Sequence, residues 1–240
     1  MVVLLFGPPG CGKGTQAVYI SRRYRIPSIS TGDMFRAECQ EGTELGRQAS
    51  AIMASGGLVG DDLVNEMVAH RIAREDCARG FLLDGYPRTV AQARFFTPLL
   101  SGRGLPEPTV IHLVVPDDIL LLRLTARRQC PACRHIYNLL SQPPRQPNEC
   151  DHDGAALITR EDDRETVIAQ RLEAYEAQTG PVLAWYGASS VHRVDANQPP
   201  AKVASAIGRV LKARVPALAV GDKLSKFRQL AGLQHLTGSS

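Results

Sequence analysis

Residues 7 to 15 read Gly-Pro-Pro-Gly-Cys-Gly-Lys-Gly-Thr, directly after the apolar run Val2 to Phe6. Glycines at this spacing let a loop close into a compact turn whose backbone N–H groups face phosphate oxygens. A helix starting at the loop adds its positive end, and a lysine reaches the terminal phosphates. Gly7, Gly12 and Lys13 fit that pattern, whereas Gly14 stands where serine or threonine is usual and Thr15 follows one place later. Taken alone, the string supports binding of nucleotide phosphates and nothing finer. A phosphate loop also calls for a carboxylate near the bound metal, at the end of a neighbouring strand. Asp84 closes the apolar run Phe81-Leu82-Leu83 and suits that place.

A second constellation is rich in cysteine. Cys130-x₂-Cys133 followed by Cys150-x₂-Asp153 has the spacing of a tetrahedral structural zinc site, with Asp153 where a fourth cysteine might stand. A carboxylate oxygen is an acceptable zinc ligand. His135 and His152 compete for the same place as nitrogen ligands. The other cysteines, Cys11, Cys39 and Cys77, are scattered and read as structural.

These residues need a frame. Val2 to Phe6, Gly80 to Asp84, Val110 to Val115 and Ser190 to Val194 read as short buried strands. Gly14 to Tyr24, 61 to 78 and 117 to 128 read as helices between them, and helical periodicity resumes near Glu165. Such alternation predicts an α/β fold with a parallel sheet covered on both faces, and ligands at the carboxyl ends of its strands. Residues 129 to 164 break the pattern with four prolines, three cysteines and two histidines, and read as a small inserted subdomain. Beyond Arg214, the spacing of Leu224, Phe227, Leu230 and Leu233 permits a short helix.

Bulk properties narrow the function classes. The chain has 240 residues, 44% apolar and 22% charged, as expected of a globular protein with a sizeable core. A net charge of +4 is too mild to imply nucleic-acid binding, but it suits an anionic substrate if the arginines converge. Apolar runs stay well short of the roughly 18 residues of a membrane span. Val2 to Phe6 has no basic region before it and meets a glycine too soon for a signal peptide, so a cytoplasmic protein is expected.

Five segments, in order, carry a resemblance: Gly7 to Gln16, Ile29 to Arg36, Gly80 to Thr89, Ala126 to Cys133 and Thr159 to Arg171. Together they resemble bacterial adenylate kinase of the long-lid, zinc-binding type, over roughly residues 1 to 213. That family also carries Gly-Lys-Gly-Thr in its loop, which removes the anomaly at Gly14. The resemblance implies a three-layer P-loop NTPase fold with a parallel sheet, a helical AMP-binding arm (30–59) and a small zinc-binding lid (129–164). The core would comprise 1–29, 60–128 and 165–214, with 215–240 an extension of unknown role. It implies reversible phosphoryl transfer, ATP + AMP to two ADP, with Mg²⁺ and as a monomer.

Carried over by motif, Gly10, Cys11, Gly12, Lys13, Gly14 and Thr15 would hold the ATP phosphates. Arg123 and Arg127 would reach the same phosphates, Ile136 and Tyr137 would pack near the ATP, and the backbone of Gln198 would contact adenine. Thr31, Arg36, Gly57, Leu58, Val59, Gly85, Tyr86, Pro87, Arg88 and Gln92 would hold AMP, with Gln92 at the base edge. Arg160 and Arg171 would come from the lid side. Lys13, Arg36, Arg88, Arg123, Arg127, Arg160 and Arg171 then form the catalytic cations, and Asp84 supports the magnesium. In the zinc-lid members the fourth ligand is Cys or Asp, which favours Cys130, Cys133, Cys150 and Asp153. The competing readings are a kinase of another nucleoside monophosphate (UMP or CMP acceptor, GTP donor) and a zinc-ribbon nucleic-acid-binding protein. Modest charge and the lack of aromatic interleaving in basic segments count against the second.

Overall fold

The computed structural model describes residues 1–214; the possible helix around Leu224 to Leu233 lies outside the described residues. The strands are β1 (Val2–Phe6), β2 (Ser28–Ser30), β3 (Phe81–Asp84), β4 (Thr109–Val114), β5 (Arg127–Gln129), β6 (Ile136–Asn138) and β7 (Val191–Asp195). The α-helices are α1 (Lys13–Tyr24), α2 (Thr31–Glu41), α3 (Glu44–Ala54), α4 (Asp61–Ile72), α5 (Val90–Ser101), α6 (Asp117–Thr125), α7 (Glu165–Ala174), α8 (Gly180–Tyr186) and α9 (Pro200–Arg214).

A parallel five-stranded sheet runs in the order β2-β3-β1-β4-β7. Strand alternation divides its side chains between two cores. Val2, Leu4, Phe6, Phe81 and Leu83 pack against Val64 and Val68 of α4, Phe96 of α5 and Val182 of α8. Val3, Leu5, Leu82, Ile111 and Leu113 pack against Ala17 and Ile20 of α1 and Ile207 and Leu211 of α9. Each fully buried side chain of this size contributes about 1.5–3 kcal/mol. The result is the helix–sheet–helix sandwich expected. β1 lies between β3 and β4; from its carboxyl end the chain leads to β2 on one side, while from β4 it leads to β7 on the other, and such a divergence is where α/β sheets open a crevice.

Three local readings are corrected. β2 was not foreseen: Ser-Ile-Ser has only Ile29 to bury and shows no period. The helix read over 61 to 78 ends at Ile72, and a single 3₁₀ turn covers Glu75–Cys77. Arg71 grips Asp76 through both guanidinium nitrogens at 2.8 and 2.9 Å, a spacing of five that a continuous α-helix does not bring together. The helix read over 117 to 128 stops at Thr125, because Arg127 to Gln129 pairs antiparallel with Ile136 to Asn138. Helix α7 begins at Glu165, where periodicity resumed.

α2 and α3 form a paired arm. A Cβ at Gly46 would stand 2.1 Å from the Glu38 carbonyl oxygen, so only glycine lets α3 lie on the α2 backbone. After α7 a π-helical turn, Tyr175–Thr179, sets the Tyr175 hydroxyl 3.2 Å from Nε2 of His112 on β4. Burial holds the His112 imidazole down at about 4, against an ordinary 6.5, and the charges of Arg193 and Lys13 act the same way. The unfolded chain therefore takes up this proton at a higher pH than the folded chain does. His112 costs nothing above about pH 6.5, and it destabilises the fold progressively as pH falls from there towards 4. Melting curves of the parent and His112→Gln are expected to converge as pH is lowered through that window. Parallel pH dependences of the two melting temperatures would remove His112 from the acid response.

Candidate active site

The loop after β1 is held open from beneath. Gly7 has φ +147°, and a Cβ there would lie 2.5 Å from Cys11 Sγ and 2.8 Å from the Leu113 carbonyl oxygen. The Cys11 thiol is thus a buried floor, and only the backbone of this residue can face a ligand. Gly12 caps α1 in the left-handed region, which turns the first N–H groups of the helix towards the crevice. Lys13 folds back over the loop. Its Nζ donates to the carbonyls of Gly7 at 2.6 Å and Pro8 at 3.0 Å.

The loop forms one end of a cavity of about 730 Å³. Every candidate nucleotide-site residue taken from the sequence, from Gly10 to Gln198, contributes to its wall. Seven cations line it, Lys13, Arg36, Arg88, Arg123, Arg127, Arg160 and Arg171, against three carboxylates, Asp33, Asp84 and Asp162. They arrive from the loop, the arm, the β3–α5 turn, α6, the β5 hairpin and the segment before and within α7.

The electrostatics record this crowding. Burial, joined by the neighbouring charges of Arg36 and Arg127, lowers the Arg160 guanidinium to about 10. Arg88 is likewise lowered, chiefly by burial. Burial also pushes the Asp84 carboxyl up, with Lys13 the first charge opposing it, so nearby cations help to keep it ionised. At Asp162 burial acts in the same direction, yet Arg171, Arg36, Arg127 and Arg160 outweigh it and hold the carboxyl below its ordinary range. Such excess positive charge in a concave, partly desolvated place favours a polyanion.

Hydrogen bonds pre-set all six arginines. Arg88 Nε donates to the Gly85 carbonyl at 2.9 Å, and Arg123 donates to the Ala196 carbonyl at 3.0 Å. Arg36 pairs with Asp33 at 2.6 Å, while Arg160 Nε donates to Gln129 Oε1 at 2.7 Å. Asp163 anchors two more. Its carboxylate accepts both Nε and Nη2 of Arg127, and Nη1 of Arg171 at 2.8 Å. Sequence reasoning missed Asp33, Asp162 and Asp163, although the last two sit inside the Thr159 to Arg171 segment. An acidic doublet carries no local sign that one member is wholly buried.

Three candidate residues are tied into the protein by contacts of their own. Tyr137 lines the cavity and also belongs to the small core of the cysteine segment. It is buried among Cys130 and Cys150, its hydroxyl accepts the Asp151 N–H at 2.8 Å, and it lies 3.5 Å from Cys150 Sγ. Alternation along β6 leaves Ile136 as the apolar side chain of this pair that is exposed on the cavity wall. Tyr86 is buried against Phe96, and its hydroxyl donates to Asn65 Oδ1 at 2.7 Å, so its ring forms the floor. Gln92 is buried, with both ends of its amide bonded within the protein.

The cysteine segment folds as two matching knuckles. Arg134 N–H donates to the Cys130 carbonyl at 3.1 Å and Gly154 N–H to the Cys150 carbonyl at 2.9 Å, with positive φ at both Arg134 and Gly154. One ligand atom from each of Cys130, Cys133, Cys150 and Asp153 lies within 4.8 Å of the others. Cys133 Sγ is 3.5 Å from Cys150 Sγ, and Cys130 Sγ is 3.3 Å from both Asp153 oxygens. A tetrahedron with bonds of about 2.3 Å to sulfur and 2.0–2.2 Å to oxygen has edges of roughly 3.5–3.8 Å, so the donor set fits one zinc-sized ion. His135 and His152 instead meet edge to face, ring centroids 4.5 Å apart.

Among the described residues, no helix is long and apolar enough to cross a membrane. The family model for adenylate kinase matches residues 5–191. The chain is 46% identical to an adenylate kinase of Pelobacter propionicus over 213 residues, 88% of this chain and 97% of that protein. It is 46% identical to one of Moorella thermoacetica over 212 residues, 88% and 98% respectively. It is also 46% identical to one of Anaeromyxobacter sp. over 188 residues, 78% and 88%. With a phosphate loop after the first strand and a cation-lined cavity above it, the chain belongs to the adenylate kinase family.

Proposed function

We propose that the protein catalyses reversible phosphoryl transfer from ATP to AMP, giving two ADP. The observation that carries this is the convergence of Lys13 and six arginines, from six separate parts of the chain, on one cavity. In-line transfer between two nucleotides gathers several phosphates, and catalysis consists mainly of positioning them and neutralising their charge. The acceptor phosphate oxygen is already anionic, so no general base is needed.

The loop N–H groups from Gly10 to Thr15 and Lys13 hold the donor phosphates, and Arg123 and Arg127 reach the same groups. Ile136 packs on the donor nucleotide, and the Gln198 backbone contacts its base. Thr31, Gly57 to Val59, Gly85 to Arg88 and Gln92 hold AMP, with Arg36 and Arg88 on its phosphate. Arg160 and Arg171 bridge from the lid side. Planar guanidinium forks suit this work because they grip two oxygens at once and keep their charge. Magnesium bound with the donor phosphates would supply further positive charge at the β and γ oxygens, with Asp84 as its supporting carboxylate. We assign 30–59 as the acceptor arm and 129–164 as the lid, in a cytoplasmic monomer. Incubation with ATP, AMP and magnesium should form ADP; no turnover would overturn the proposal.

The lid's own core is small, with Cys130, Tyr137 and Cys150 its buried apolar members. A structural zinc on Cys130, Cys133, Cys150 and Asp153 would supply the cross-link that packing does not. Protein purified without chelator is expected to carry about one zinc per chain. Metal analysis that found none bound would rule out a structural zinc.

A further inference from the structure

Asp61, the first residue of α4, stands behind the cavity wall rather than in it. Both of its carboxylate oxygens are engaged. Oδ1 accepts Nε2 of Gln92 at 2.8 Å, and Oδ2 accepts the Thr89 hydroxyl at 2.8 Å. Gln92 is only 1% exposed but lines the cavity, and its Oε1 accepts the Arg88 N–H at 2.7 Å.

These partners fix which way round the amide stands. A carboxylate can only accept and a backbone N–H can only donate. Rotating the Gln92 amide by half a turn would set its oxygen against Asp61 and its NH₂ against the Arg88 N–H, losing both bonds and leaving buried polar groups unpaired. In the observed orientation one amide hydrogen and one oxygen lone pair remain for a ligand. A 6-amino purine presents an acceptor at N1 and a donor on N6. A 6-oxo purine presents the reverse, a donor at N1 and an acceptor at O6. An amide free to turn could serve either edge, whereas a locked one serves only one.

We propose that Asp61 is a positioning residue that sets acceptor specificity: by locking the Gln92 amide it admits 6-amino purine monophosphates and rejects 6-oxo ones. The inference rests on the reading of AMP as acceptor. Asp61 acts through Gln92 and makes no contact with the nucleotide itself.

The test compares kcat/KM for AMP and IMP, with ATP as donor, in the parent, Asp61→Asn and Asp61→Ala. The two acceptors differ only on the edge in question, so losses from general loosening cancel in their ratio. The parent should prefer AMP by roughly 10³-fold or more, as expected where a site hydrogen-bonds its substrate. Asn offers a donor as well as an acceptor, and Ala offers neither. Both variants should therefore lower the AMP-to-IMP ratio by at least about tenfold, with melting curves confirming the fold. An unchanged ratio in a folded variant, with AMP and IMP losing equally, would overturn the proposal and leave Asp61 a structural clamp. A parent enzyme that used IMP as well as AMP would overturn it without any variant. Absence of ADP formation from AMP in the parent would instead bring down the reading on which it rests.

Discussion

Lys13→Ala is expected to lower kcat for ADP formation roughly 10²- to 10³-fold, the usual cost of removing one preorganised donor from developing charge. The ammonium lies on the Gly7 and Pro8 carbonyls at 2.6 and 3.0 Å, directly over the loop that would hold the donor phosphates. Few cations could replace it. Arg123 is bonded to the Ala196 carbonyl, and Arg127 and Arg171 are committed to Asp163. The loop itself should survive, because its shape rests on Gly7, Gly12 and the packed Cys11 floor rather than on the lysine. The variant should thus melt close to the parent while turnover collapses. Steady-state rates beside a melting curve check this, and near-parental turnover would remove Lys13 from its role.

Asp163→Asn is expected to act on the fold first. The Asp163 side chain is fully buried, and the two guanidinium groups it joins, Arg127 and Arg171, are 17% and 18% exposed. Asparagine can accept from one arginine but turns an NH₂ towards the other. Breaking a buried pair in this way leaves an unneutralised charge in a poorly solvated place and costs about 3–5 kcal/mol. For a chain of this size that lowers the melting temperature by on the order of 10 °C. The exposed pair Arg47–Glu44 supplies the contrast. It is as short, at 2.6 Å, but its side chains are 65% and 69% exposed. Arg47→Ala should therefore shift stability by less than about 1 kcal/mol. Equal melting temperatures for the Asp163 variant and the parent would show that the arginines do not depend on this carboxylate.

How much of this was legible in the sequence depends on how local each signal is. The phosphate loop, β1 and α1 follow from neighbouring residues, so glycine spacing, an apolar run and a lysine suffice. The paired cysteines are local in the same way, and the two knuckles repeat one turn geometry around them. β2 was not legible, because three residues with one apolar side chain carry no period. The end of α6 was hidden too: Arg127 and Arg128 are good helix formers, and the decision lies with the strand Ile136 to Asn138, further along the chain. The arginines were assigned through resemblance, since nothing near Arg36 announces Arg171. Asp61 and Asp163 were overlooked for a related reason. A solvated acid and one that anchors buried donors look the same until the chain is folded around them.

The proposed reaction joins an ATP donor to an AMP acceptor in one cavity. It is tested most directly by coupled ADP-formation rates with AMP, UMP, CMP and GMP as acceptors, each with ATP and with GTP as donor. Turnover should be dominated by the ATP and AMP pair, at least about 10²-fold above the other combinations. Equal or faster turnover with another acceptor or with GTP, or no turnover with any combination, would contradict it.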